Sequence, residues 1–277
     1  MNTTTDVAPH APNAPIAVSP VLAEGETIKL VGAGGVGGVV ARYGVLFVRS
    51  LCDKQGTSAR WVIIDGDAFE DRNRNRMLFR ALGKKAEVLR DELLTFVADS
   101  RLTLMAINEH VTHENIARLM HDGDIIILAV DNNATRKLVS DYCDTRLQRF
   151  CLISGGNDGV GPDPSGRVLR GTYGNCQVFL RGTLESPSLT RYHPEIEHPD
   201  DRLPSDLHCT EAAVSQPQIL FANLAAASAM LNALWLYLAG ALHYSELAFD
   251  IADGLMRPIP LAPPAPPSTS DDAGTSG

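Results

Sequence analysis

Continuous apolar runs that alternate with helix-like segments are the feature that most constrains this fold. Each run is apolar throughout, which is typical of a strand buried on both faces of a sheet. Strands that alternate with helices need crossover connections, and these give a parallel sheet covered on both sides. The sequence therefore predicts an α/β fold with a doubly wound, mostly parallel sheet up to about Gly156. The predicted strands lie in TIKLV, ARWVIID, LTLMAINEHV, DIIILAVD and FCLISGG.

Beyond Gly156 the pattern changes. The segment SGRVLRGTYGNCQVFLRGTL alternates polar and apolar residues, as antiparallel strands do. The following residues, about 185–215, are rich in proline and lack periodicity, so we expect a long, exposed crossover loop. Residues 217–243 contain an uncharged, Ala-rich run long enough to span a bilayer. Because no Lys or Arg flanks that run, a helix buried in the protein or at a subunit interface is the favoured interpretation over a membrane span.

The two ends of the sequence are expected to be disordered. Residues 1–25 lack the positive n-region of a signal peptide and contain several prolines, and residues 258–277 are rich in Pro, Ser and Gly. Between them we expect one domain, residues 26–257, whose nucleotide-binding half covers 28–157.

Charge and cysteine content exclude some classes of protein. The formal net charge is -9, from 24 basic and 33 acidic residues, which argues against nucleic acid and against an acidic membrane surface as partners. The five cysteines are an odd number without a C-x-x-C pair, so neither a disulfide framework nor a zinc ribbon is indicated. A reducing cytoplasm is the expected location.

A glycine-rich turn joins the first predicted strand to the first predicted helix. Gly32, Gly34 and Gly37 satisfy G-x-G-x-x-G, and Gly35 adds a fourth glycine. Such a turn lets the backbone approach a phosphate, which the N–H groups at the helix N-terminus can bind. The motif indicates a nucleotide but does not distinguish NAD, FAD and ATP. The alternative is that these glycines only allow close packing of helix and strand.

Charged side chains crowd the end of the second strand. Asp65 ends the strand, where an acid can bind ribose hydroxyls. An enzyme that breaks a phosphoanhydride needs cations to stabilise the leaving pyrophosphate, whereas a dehydrogenase does not. For any single residue of the group, a solvated charged loop is the alternative. The group consists of Asp65, Asp67, Asn73, Arg76, Lys84 and Lys85.

A further acid, Asp131, follows the fourth strand in the segment AVDNNATR. The carboxyl ends of parallel strands face the ligand crevice of an open sheet. A carboxylate there can hold a magnesium ion that bridges phosphate oxygens. The sequence therefore predicts Asp131 as a metal ligand.

Taken together, the segments VGAGGVGG, DGDAFEDRNRNR, GKKA and AVDNNATR resemble the ThiF/MoeB-like adenylating enzymes, which include the activating enzymes of ubiquitin-like proteins. The resemblance covers about residues 28–157 and a piece near 205–235. It implies a Rossmann-like adenylation fold, with ATP and Mg²⁺ as cofactors. The roles it implies are ribose binding by Asp65, triphosphate contacts by Asn73 and Arg76, a phosphate contact by Lys85 with Lys84 as the fallback, a magnesium site at Asp131, and support from Asn132 and Arg136.

The segment HCTEAAVSQPQ resembles the cysteine segment of the same family. In members that transfer sulfur or activate proteins, this cysteine can carry the activated protein, so Cys209 is the candidate nucleophile. The neighbouring His208 would favour the thiolate. The alternative is a cysteine without a catalytic role, as in relatives that only adenylate.

The resemblance implies that the chain adenylates the C-terminal carboxylate of a small ubiquitin-like or sulfur-carrier protein ending in Gly-Gly. It also implies a homodimer and, as in bacterial operons that encode a ubiquitin-like protein, a conjugating enzyme as a further partner. Three alternatives stay open: adenylation of a tRNA-borne or small-molecule carboxylate, a non-catalytic scaffold that binds a ubiquitin-like protein, and a nicotinamide-dependent dehydrogenase.

Overall fold

A computed structural model describes residues 19–74, 77–163, 166–206 and 218–261. The strands are β1 (Glu26–Val31), β2 (Ala59–Ile64), β3 (Ala68–Phe69), β4 (Gly83–Lys84), β5 (Leu102–Ile107), β6 (Ile125–Leu128), β7 (Phe150–Asn157), β8 (Val160–Pro162), β9 (Val168–Arg170), β10 (Tyr173–Arg181), β11 (Tyr244–Asp250) and β12 (Leu255–Pro260). The helices are α1 (Gly35–Gln55), α2 (Lys85–Val97), α3 (Ile116–Leu119), α4 (Asn133–Arg146), α5 (Pro194–Glu197) and α6 (Leu220–Leu238).

Eight strands form one central sheet in the order β12-β11-β10-β7-β6-β1-β2-β5. The five strands from β7 to β5 run parallel, and β10, β11 and β12 add to β7 as antiparallel neighbours. This confirms the predicted doubly wound, mostly parallel sheet with an antiparallel C-terminal portion. Val31 pairs with both Ile64 and Leu128, so the carboxyl ends of the three central strands β1, β2 and β6 lie side by side.

Two apolar layers cover the sheet. On one face, α1, α2 and α6 contribute to one core cluster, which contains the fully buried Trp61. On the other face, α3 and α4 pack around residues such as Phe150, whose ring lies edge-on to that of Phe179 at 4.8 Å. Because both faces are covered there, the central strands β1, β2, β6 and β7 are mostly buried and apolar, as the sequence pattern predicts.

The crossover segment between β10 and α6 is less exposed than predicted. Leu189, Ile196 and Leu203 are buried and extend the core on the α4 face of the sheet. Their spacing follows no helix or strand period, so sequence alone did not identify them as core residues. The last part of the segment, residues 207–217, lies outside the described residues.

The apolar helix predicted for residues 217–243 is α6, which is shorter than predicted. It ends just before Gly240, whose backbone has a left-handed conformation. By length and apolar composition alone, both α1 and α6 could cross a membrane. One face of α6 instead packs on α1, β7 and β10, as a core helix does.

The limits of the packed chain differ slightly from the predicted ones. Of the predicted disordered ends, residues 1–18 and 262–277 lie outside the described residues. Ahead of β1, Leu22 is buried, and the Val21 N–H donates to the Leu238 carbonyl at 2.8 Å. At the other end, β12 pairs with β11 up to Pro260, so the structured chain extends past residue 257.

Candidate active site

A large cleft opens along the carboxyl ends of the parallel strands and continues beside the antiparallel strands. Its volume is about 1750 Å³. The inner half is lined by the glycine turn, the residues after β2 and the residues after β6. The outer half is lined by Asp158, Tyr173, Asn175 and residues of the crossover segment. A cleft of this size accommodates a nucleotide together with part of a second ligand.

The glycine turn has a shape that side chains would obstruct. Gly32 has φ +92, and a Cβ there would lie 2.7 Å from the Ala129 carbonyl oxygen. A Cβ on Gly37 would overlap the Gly32 carbonyl oxygen. At Gly34 the nearest atom to such a Cβ, in Met77, is 3.9 Å away, so the space in front of the turn is open. Close packing therefore explains Gly32 and Gly37, whereas Gly34 borders open cleft.

The N-terminus of α1 lines this cleft. Within the described residues no side chain caps the helix, and its first turn contains no acidic residue. The leading N–H groups of a long helix carry a partial positive charge and bind anions. The turn is therefore a fit for the phosphates of a nucleotide.

Asp65 ties this turn to the end of β2. Its Oδ2 accepts the Ala33 N–H at 2.6 Å, and its Oδ1 accepts the Asp67 N–H at 2.8 Å. The side chain lines the cleft although the residue is only 9% exposed. Asp65 thus has a structural role, and ribose binding by Asp65 stays a prediction.

Lys85 lies at the floor of the cleft in contact with Asp67. Its Nζ donates to Asp67 Oδ2 at 2.7 Å, and His110 Nε2 lies 3.5 Å from the other oxygen. Burial alone would raise the pKa of Asp67, but the charge and hydrogen bond of Lys85 outweigh it and lower that pKa. Lys84 is exposed and donates to the Gly66 carbonyl at 3.1 Å. Of the two candidate lysines, Lys85 is therefore the one that lines the cleft.

Asn73 is buried at the edge of the cleft, at the end of a short 3₁₀ turn. Its Oδ1 accepts the Glu70 N–H at 2.8 Å, which fixes the side chain. Arg76, the other predicted triphosphate contact, lies outside the described residues.

Asp131 stands exposed at the carboxyl end of β6. Within the described ranges its carboxylate makes no hydrogen bond or ion pair, so both oxygens are available to a ligand. Magnesium is commonly held by one or two carboxylates together with substrate phosphates and water. The described part of the chain contains no group of three or more His, Cys, Asp or Glu that could hold a metal ion by itself. Asp131 thus fits a magnesium ion brought with a nucleotide.

Asn132 and Arg136 shape this edge of the cleft. Asn132 caps α4, since its Oδ1 accepts the Thr135 N–H at 2.7 Å. Arg136 is buried and donates to the Ser154 hydroxyl at 2.5 Å and to the Val130 carbonyl at 2.7 Å. Burial lowers the pKa of Arg136, and the nearby Asp131 charge opposes that shift. Both residues support the pocket by holding its walls.

The crossover segment adds residues that the sequence patterns did not identify. Asp201 accepts the N–H groups of Asn133 and Ala134, both at 2.7 Å, and so holds the segment to the N-terminus of α4. His193 lies between two acids, 2.8 Å from Glu195 and 3.0 Å from Glu246. These contacts join parts of the chain that are far apart in sequence.

The charges around His193 favour its protonated form. Burial alone would lower the pKa of His193, but the hydrogen bonds and charges of Glu246 and Glu195 outweigh it and raise that pKa. The same contact helps to lower the pKa of Glu246, although burial opposes the shift. The pair forms one anchor between the crossover segment and the sheet.

The candidate nucleophile, Cys209, and its neighbour His208 lie outside the described residues. The other four cysteines are buried, and burial raises the pKa of each thiol, to about 12 for Cys143 and Cys176. A thiol with a raised pKa and no access to solvent is a poor nucleophile. None of these four cysteines is therefore suited to carry an acyl group.

Comparison with known proteins agrees with this fold. A model of the ThiF family matches residues 23–266. A comparison with curated protein sequences finds no match.

Among solved structures, Escherichia coli MccB bound to AMPCPP and MccA is 15% identical, with a TM-score of 0.59 over 87% of this chain and 66% of that chain. MccB with ATP is 14% identical, with a TM-score of 0.59 over 85% of this chain and 64% of that one. PaaA is 15% identical, with a TM-score of 0.56 over 85% and 64%. The chain thus spans slightly less than two thirds of these proteins. At such identities the likeness is one of fold.

Proposed function

This chain belongs to the ThiF family, and from that premise we propose that it uses ATP to adenylate the C-terminal carboxylate of a small partner protein. The observation that carries the proposal is one cleft that joins three features. These are the buried Lys85, a helix N-terminus that no described side chain caps, and Asp131, which has no hydrogen-bond or ion-pair partner among the described residues. Triphosphate binding needs the first two, and a magnesium ion needs the third. A dehydrogenase would need neither the lysine nor the free carboxylate.

In the proposed reaction, a carboxylate oxygen of the partner attacks the α-phosphorus of ATP. The bond from that phosphorus to the bridging oxygen of the β-phosphate breaks, and pyrophosphate leaves with the electron pair. The N–H groups of the glycine turn and the Lys85 ammonium would hold the phosphates and stabilise the charge that grows on the pyrophosphate. Asn73 and Arg76 are the further candidate phosphate contacts.

Magnesium would be held by Asp131 and, when bound, would neutralise charge on the phosphates. Lys85 keeps its position through Asp67, whose lowered pKa leaves the carboxylate ionised at neutral pH. Asp65 keeps the glycine turn against β2, so the N–H groups are aligned before a ligand arrives.

A protein with a flexible Gly-Gly end is the proposed partner, either ubiquitin-like or a sulfur carrier. The cleft continues from the nucleotide region along β10 and beneath the crossover segment, which leaves a path for an extended chain end. MccB, which has a similar fold, has been solved in a complex with AMPCPP and MccA. A conjugating enzyme that accepts the activated partner belongs to the same proposal.

A second step on Cys209 is part of the proposal. The Cys209 thiolate would attack the carbonyl carbon of the mixed anhydride, AMP would leave, and a thioester would remain. The burial of the other four cysteines supports this choice of residue.

We further propose a homodimer. Apolar side chains line the outer sides of α1 and α6, among them Tyr43, which is 61% exposed, Phe221 at 69% and Leu224 at 40%. A second copy that covered this surface would remove it from water. Light scattering of the purified protein tests the proposal, and a monomer would contradict it.

Pyrophosphate exchange with defined variants tests the reaction. Asp131→Ala should abolish partner-dependent exchange, because the metal loses its only proposed protein ligand. Cys209→Ala should leave exchange intact and remove only an adduct with the partner that a thiol reductant releases. Normal exchange by Asp131→Ala would refute the metal assignment, and a full adduct on Cys209→Ala would refute the nucleophile.

The same assay separates the alternatives. Exchange that depends on RNA or on a small carboxylic acid would replace the protein partner. Partner binding without any ATP turnover would favour a scaffold. A dinucleotide that copurifies with the protein would favour a dehydrogenase.

A further inference from the structure

A buried carboxamide lies beside the glycine turn without a hydrogen-bond partner in the described part of the chain. Asn223, near the start of α6, is 0% exposed, and neither its Nδ2 nor its Oδ1 has a partner among the described residues. Burying a polar side chain without hydrogen bonds is unfavourable, and native proteins seldom do it without a reason. A leucine has the same branched shape and would fill the space without that cost.

The carboxamide is aimed at the first turn of α1. A Cβ on Gly35 would overlap Asn223 Nδ2, so the amide occupies the space that a side chain at position 35 would need. Gln218 stands beside the same point, with its Oε1 3.8 Å from that Cβ position, and it lines the cleft. Asn223 therefore lies against the turn from the α6 side, whereas Asp65 bonds the turn from the end of β2.

The first turn of α1 also lacks a cap. Within the described part of the chain no side chain caps its N–H groups, and Gly34, Gly35 and Val36 line the cleft. An anion that bound these groups would draw the turn toward itself, and a small rotation of its peptide units would bring backbone atoms within reach of the Asn223 amide. The unpaired amide and the uncapped helix end would then be satisfied in one step.

We propose that Asn223 is a positioning residue for the nucleotide, whose carboxamide hydrogen-bonds the backbone of the glycine turn when the phosphates of ATP are bound. The inference rests on the proposed use of ATP and assigns a role to a residue outside the four family segments. Asn223 acts through the turn, because the residue is fully buried and does not line the cleft. Its hydrogen bonds would favour the liganded turn over the unliganded one.

ATP affinity measured by calorimetry in the presence of magnesium tests the proposal. Asn223→Leu keeps the shape and removes both polar atoms, so we expect ATP binding to weaken about tenfold, as for the loss of two buried hydrogen bonds. The unliganded variant should melt at the same temperature as the wild type or higher, since an unpaired amide has gone. If Asn223 had only a structural role, its substitution would lower the melting temperature and leave the affinity for ATP unchanged.

Asn232→Leu is the matched control, because Asn232 is an exposed asparagine on the same helix. It should bind ATP like the wild type.

Asn223→Ala replaces the leucine variant in the affinity measurement if that variant does not fold. Hydrogen exchange on the wild type gives an independent measurement. The first turn of α6 should gain protection when ATP binds. Wild-type affinity in folded Asn223 variants, or no gain in protection, would overturn the role of Asn223 alone. A wild-type protein that does not bind ATP would overturn the proposed function as well.

Discussion

Asp65→Asn should cost folding stability because two backbone N–H groups depend on this carboxylate. The Ala33 N–H is 2.6 Å from one oxygen and the Asp67 N–H is 2.8 Å from the other. An amide keeps one acceptor and turns an NH₂ group toward the second N–H, so one charge-assisted hydrogen bond is lost at a site that is 9% exposed. Such bonds contribute about 1.5–3 kcal/mol each, and we expect the free energy of unfolding to fall by about 2 kcal/mol.

Urea denaturation at neutral pH measures this change, with Asp131→Asn as the matched control. Asp131 is exposed and makes no hydrogen bond or ion pair among the described residues, so its substitution should change stability by less than about 0.5 kcal/mol. Pyrophosphate exchange should fall in both variants. In Asp65→Asn the glycine turn is displaced, and in Asp131→Asn the proposed metal ligand is lost. If Asp65→Asn had the wild-type urea midpoint, the stabilising role of the two Asp65 hydrogen bonds would be refuted. Equal losses of stability in both variants would refute the expected difference between Asp65 and Asp131.

Three further predictions concern the cleft and its anchor. Lys85→Met should lower pyrophosphate exchange about a hundredfold, as for a lost transition-state donor, whereas the exposed Lys84→Met should retain it; equal losses would contradict the choice of Lys85. Gly37→Ala should prevent folding or lower the melting temperature strongly, because its Cβ overlaps a carbonyl oxygen of the turn, and a wild-type melting curve would disprove the close packing. The pKa of His193 is raised in the folded protein, so the contact of His193 with Glu246 contributes its full stability below about pH 6.5, the pKa of a free histidine. This contribution is lost as the pH rises through the higher pKa that His193 has in the folded protein. Proteolysis of the crossover segment should therefore increase from about pH 6 to pH 9 in the wild type but not in His193→Gln, and a pH-independent rate in the wild type would contradict this.

The parallel sheet and the inner cleft were predictable because their signals are local. Each buried strand is a continuous apolar run, and the turn after β1 carries its glycines at fixed spacing. Once the sheet is known to be parallel, Asp65 and Asp131 are expected at its carboxyl edge. Lys85 is the first residue of α2, and its assignment came from the family resemblance. Asp67 also belongs to the predicted group, although its ion pair with Lys85 became visible only in the structure.

The rest depends on contacts between distant segments. Asp201 holds the N-terminus of α4 from a segment without periodicity, so no pattern in the sequence connects the two. His193 and Glu246 are likewise 53 residues apart. In the sequence Asn223 is one of several polar residues in an apolar helix, and its position beside Gly35 arises from the packing of α6 on α1. His110 had a weaker signal, since it closely follows the end of β5 at the same sheet edge.

Transfer of heavy oxygen from the partner to AMP tests carboxylate adenylation most directly. The partner protein would carry the label in its C-terminal carboxylate, and AMP released after one turnover would be analysed by mass spectrometry. The account predicts that AMP gains one labelled oxygen, because the carboxylate oxygen that attacks the α-phosphorus stays with AMP when the anhydride is cleaved at its carbonyl carbon. AMP without the label, or ADP as the nucleotide product, would contradict it.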